Sequence, residues 1–91
     1  MTAYLIALHA ENRPEVMQWL KERRAVHVLP DVWLLTTHQS AALMVGDKIE
    51  EEFGFRDPLV VIKMDDHTTD WDVRGTSGDV DDWLASNVGG G

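Results

Sequence analysis

The stretch AVHVLPDVWLLTT, residues 25–37, decides the fold. Two β-rich runs, Ala25–Leu29 and Val32–Thr37, flank Pro30-Asp31. Proline has no amide hydrogen for a strand ladder, and Pro-Asp suits a tight turn. The stretch therefore predicts a β-hairpin, with His27 alternating between two valines.

Working outward towards the N-terminus, Val16, Trp19, Leu20 and Arg23 recur at helical spacing between Pro14 and about Arg24. Asn12 is a candidate N-cap, and Pro14 suits the first turn because its missing N–H needs no partner there. Before this helix, Ala3–Leu8 (AYLIAL) reads as a buried central strand. Working outward towards the C-terminus, Ser40 can cap a helix over Ala41–Phe53. Ala42, Val45, Ile49 and Phe53 form its inner stripe, and Asp47, Lys48, Glu50, Glu51 and Glu52 its outer face. Gly54 fits a left-handed stop. Asp57-Pro58 then introduces Leu59–Met64 (LVVIKM), a further strand.

The order is β-α-β-β-α-β. Right-handed crossovers turn it into an α+β, ferredoxin-like core over residues 1–66, with sheet order 4-1-3-2 and both helices on one face. The other face then needs a cover. Tyr4, Ile6, Trp33 and Leu35 are the expected interface there, and a second copy of the chain is the simplest partner. Residues 67–91 form an acidic extension. Trp71 and Val73 alternate with aspartates, as in a fifth, edge strand, and serve as further candidate interface anchors. Asp79 can cap a short helix holding Val80, Trp83 and Leu84, and a frayed glycine tail follows.

Bulk properties narrow the function. The 91 residues suffice for one domain. A net charge of −8 disfavours direct binding to nucleic acid; its first reading is solubility, and its sharper one a partner with a basic surface. Arg13, Lys21, Arg23 and Arg24 cluster around the first helix, where Glu15 and Glu22 can pair with them as a solvated face. There is no cysteine, which fits a reducing cytoplasm and excludes thiolate chemistry. The N-terminus lacks the basic region of a signal peptide, and no apolar run approaches the ~20 residues of a membrane span.

The strand AYLIALH, the hairpin VHVLPDVWLLTT, the helix opening QSAALMVGDKI and the strand DPLVVIKM occur in that order. Together they resemble the small ferredoxin-like proteins grouped with the CRISPR adaptation subunit Cas-two, the VapD-type endoribonucleases and the SinR-like proteins. The resemblance spans residue 3 to about residue 74. It implies a homodimer built across the sheet faces, with a C-terminal strand that often joins the partner's sheet. Where members are nucleases, it implies metal-assisted phosphodiester cleavage by an aspartate at the end of the first strand. That position is His9 here.

In the expected sheet, the end of the first strand lies beside the start of the third, so His9 neighbours Asp31 and, more loosely, Asp57. A His–Asp pair can move protons near neutral pH. Metal candidates at the opposite edge are His38, Asp65, Asp66, His67 and Asp70, although DDHTTD has no fixed metal-loop spacing. Three functions compete. The first is a dimeric interaction module, without a required cofactor, that has lost the family's metal-binding aspartate. The second is a nuclease with a variant His9–Asp31 site and magnesium or manganese. The third is an acidic decoy that occupies the groove of a nucleic-acid-binding protein.

Overall fold

Each apolar run becomes a strand or helix whose alternate residues separate onto two faces. The computed structural model describes residues 1–9, 13–54, 57–64 and 70–88. In chain order its elements are β1 (Thr2–Leu8), α1 (Pro14–Glu22), β2 (Val26–Leu29), β3 (Val32–Thr37), α2 (Ala42–Phe53), β4 (Leu59–Met64), β5 (Asp70–Arg74) and α3 (Gly78–Asn87). The five strands form one sheet in the order β2-β3-β1-β4-β5, and every neighbouring pair is antiparallel. β1 is thus held on both sides, while β2 and β5 are the edges.

The register decides which side of each strand is buried. Ile6 stands opposite Trp33 on β3 and Val61 on β4, and Tyr4 stands opposite Leu35. These residues join Leu8, Leu59 and the inner stripes of α1 (Val16, Trp19, Leu20) and α2 (Ala42, Val45, Ile49) in one core. Tyr4, Ile6, Trp33 and Leu35 are therefore corrected from candidate interface to core, because α1 and α2 cover them. The reverse face belongs to the alternate set. Leu5 pairs there with Leu34 and Ile62, and Ala7 with Val32 and Val60.

The extension folds back on its own chain. β5 pairs with β4, placing Trp71 opposite Ile62 and Val73 opposite Val60. α3 then lies against the reverse face, where Val80, Trp83 and Leu84 line a groove with Val60 and Ile62. Leu84 is buried, whereas Trp83 remains 60% exposed. The reverse face is thus partly covered from within.

Helix ends follow local and distant rules. Gly54 ends α2 in the left-handed region (φ 59°), with its N–H donating to the Glu50 carbonyl. α1 ends earlier than the periodicity implied. The Arg24 amide donates to the Lys21 carbonyl and the Ala25 amide to the Leu20 carbonyl, a Schellman arrangement. Its left-handed position is Arg24 (φ 60°), where glycine is the usual residue. The expected caps are corrected too. α2 starts after Ala41 and makes no side-chain cap bond of its own, because Ala42 donates instead to the Asp70 carboxylate. α3 starts after Ser77 rather than at Asp79. Asn12 lies outside the described residues.

Candidate functional site

β1 runs directly into His9, and the hairpin turn carries Asp31 alongside it. The Leu8 amide donates to the Asp31 carbonyl at 2.9 Å, which anchors the turn against the end of β1. His9 Nδ1 then lies 3.1 Å from Asp31 Oδ2. The side chains are 68% and 41% exposed. Asp31 Oδ1 is buried without a hydrogen-bond partner. The pair is open to solvent, and among the described residues no pocket encloses it.

The metal candidates do not gather. His38 is exposed beyond β3, while Asp70 caps α2 from the edge strand. Asp65, Asp66 and His67 lie outside the described residues. Among the described residues, no cluster of three histidines or carboxylates could hold an ion.

A polar centre that the sequence reading missed lies where β5 crosses α2. Arg74 donates through Nε to Asp72 at 2.7 Å, through Nη1 to Glu50 at 2.9 Å and through Nη2 to Asp47 at 2.6 Å. It is only 21% exposed. Burial works against its charge, but the hydrogen bonds it donates to three carboxylates outweigh that and hold the guanidinium's pKa above its ordinary value. Gly46 makes the crossing possible, since a methyl group there would run into the Asp72 carboxylate. Arg74 is the only lysine or arginine after Lys63, and Asp47 and Glu50 share a helix face; those were the available signals. The centre is fully engaged with itself, so it is a structural clasp.

Further ties fix the site's surroundings. Buried Tyr4 donates its hydroxyl to the Gln39 carbonyl at 2.8 Å and holds the segment after β3. Desolvation, then the nearby Asp70 charge, raise the Tyr4 pKa above its ordinary value. Arg13 donates to Glu15 at 2.6 Å and to the Phe53 carbonyl at 2.7 Å, bridging the start of α1 to the end of α2. The Arg13 hydrogen bond holds the Glu15 carboxyl below the usual carboxylate range. Among the described residues, no helix is long and apolar enough to cross a membrane.

Comparison with known proteins finds no matching family model, no matching curated protein and no matching solved structure.

Proposed function

We propose that the chain is a non-catalytic interaction module that works as a homodimer through the reverse face of its sheet. The carrying observation is the row Leu5, Leu34, Ile62, Val32 and Val60, apolar and only half-buried, with α3 forming a groove over Val60 and Ile62. Association would remove this surface from water, which is favourable in proportion to area. We read the first four strands as a ferredoxin-like βαββαβ unit of order 4-1-3-2, because β4, β1, β3 and β2 lie side by side in that order with β5 added outside β4. The resemblance to the Cas-two and SinR-like group rests on the quoted strand and hairpin motifs, and a dimer is what it implies. The solvent-facing His9–Asp31 pair supports a role in binding rather than turnover.

Sedimentation velocity over a range of concentrations tests this reading. A mass twice the 10.3 kDa of one chain is expected, with Leu34→Glu giving a folded monomer. A wild-type monomer at every concentration would refute it.

One observation favours a second reading. The 3.1 Å approach of His9 to Asp31 is what a variant phosphodiesterase site would use. Incubation with RNA and DNA in magnesium or manganese decides between the two. Cleavage abolished by His9→Ala would replace the first reading with the second.

A further inference from the structure

A cleft of about 220 Å³ opens between α1 and α2 beyond the end of β3. The chain as a whole carries a net charge of −8. Yet the ionisable side chains lining this cleft are all basic: Arg23, His38 and Lys48. Among the described residues, none of the three lies within ion-pair distance of a carboxylate. Of the acids on α2, Asp47 and Glu50 are bound by Arg74, while Glu51 and Glu52 are exposed. Arg23 and Lys48 bring two like charges to one cleft, and an entering anion would offset their repulsion.

A second, independent observation concerns Trp19, which lines the same cleft. Its side chain is 8% exposed, and its indole nitrogen is buried without a hydrogen-bond partner. Trp19 thus forms part of the cleft wall, where its indole resonance can report on an occupant. The walls are also pre-set. The Arg23 guanidinium lies over the Trp19 ring at 3.9 Å from its centroid and donates to the Trp19 carbonyl. The segment carrying His38 is pinned by the Tyr4–Gln39 bond. Thr37 and Gln39 add polar groups to the lining.

We propose that this cleft binds a small phosphoryl-bearing anion, with the basic side chains of Arg23, Lys48 and His38 as its contacts. Size argues for a compact ligand, since pockets for drug-sized molecules run to roughly 300–1,000 Å³. Stacking of a base is disfavoured because Arg23 already covers the Trp19 ring and Phe53 packs edge-on against it. Charge-assisted hydrogen bonds from a guanidinium and an ammonium suit phosphoryl oxygens.

The test is titration of the isotope-labelled full chain with pyrophosphate, glycerol phosphate and, as a non-phosphoryl control, citrate. The chain has four tryptophans, and Trp19→Phe identifies the Trp19 indole resonance in the proton–nitrogen spectrum. Saturable movement of that resonance by a phosphoryl probe at millimolar concentration or below is expected. Tighter binding of pyrophosphate would mark a free polyphosphate as the ligand, and tighter binding of glycerol phosphate a phosphate ester. The double variant Arg23→Gln/Lys48→Gln alters exposed side chains and should weaken binding at least tenfold while leaving the rest of the spectrum in place. No saturable movement with either phosphoryl probe would overturn the proposal. So would equal binding by the double variant, or citrate binding as tightly as both.

Discussion

The carboxylate of Asp70 accepts a hydrogen bond from the Ala42 amide at 2.6 Å, so a residue on the edge strand β5 caps helix α2. The cap satisfies one of the helix's orphan donors and places a negative charge at its positive end. Asp70→Ala should destabilise the fold by about 1 kcal/mol, and Asp70→Asn by less, because the amide oxygen can still accept. Thermal melts should show a drop of roughly 4–8 °C for Asp70→Ala. An unchanged midpoint would mean that the cap adds nothing.

Arg74 binds Asp47, Glu50 and Asp72 at once. Arg74→Leu removes the shared cation and leaves three carboxylates facing one another, at a cost of about 2 kcal/mol in urea denaturation. Arg74→Lys should recover less than half of this, because one ammonium cannot fork towards three partners. The wild-type advantage should shrink in molar salt, since Asp47 and Glu50 are half-exposed.

Arg24 occupies a left-handed position with φ 60° at the end of α1. A side chain there costs on the order of 1 kcal/mol that glycine does not incur. Arg24→Gly should therefore raise stability by about that amount, less the extra freedom glycine brings to the unfolded chain. Equilibrium unfolding of the two proteins measures the difference, and a loss of stability would contradict the assignment.

Tyr4 is the chain's one tyrosine, so its ionisation can be followed by absorbance. Its folded-state pKa is raised, by burial first and by Asp70 second. The folded chain therefore holds this proton more tightly than the unfolded chain does. The resulting stability is complete below the unfolded phenol value of about 10 and is lost as pH rises through the higher folded value. Tyr4→Phe should flatten that alkaline decline while costing about 1 kcal/mol at neutral pH through the lost bond to Gln39. An equal alkaline slope in both proteins would exclude Tyr4 as its source.

The elements were legible because the apolar period changes from two to nearly four and back, with Pro14, Pro30-Asp31, Gly54 and Pro58 as punctuation. The His9–Asp31 approach was legible as well, since it needs only β1 beside β3 and a tight hairpin turn. The choice of buried face was not. In AYLIAL and VWLLTT both alternate sets are largely apolar, so hydropathy could not rank Tyr4 and Ile6 against Leu5, or Trp33 against Leu34. Only the helices settle that choice. The cap was misread for a related reason: Ser40 is adjacent to α2 in sequence, but the acceptor comes from Asp70, 28 positions away. The Arg74 clasp and the basic cleft likewise arise from residues that tertiary structure alone brings together.

Gly46 is an unfavourable helix residue by about 1 kcal/mol relative to alanine, yet it sits buried in the middle of α2. Its missing methyl leaves the space in which Asp72 and Arg74 lie. On its own, α2 is therefore weak at its centre and uncapped at its start. Both defects are met by the same later segment, Asp70–Arg74, so loosening that strand should loosen the start and the centre of α2 together.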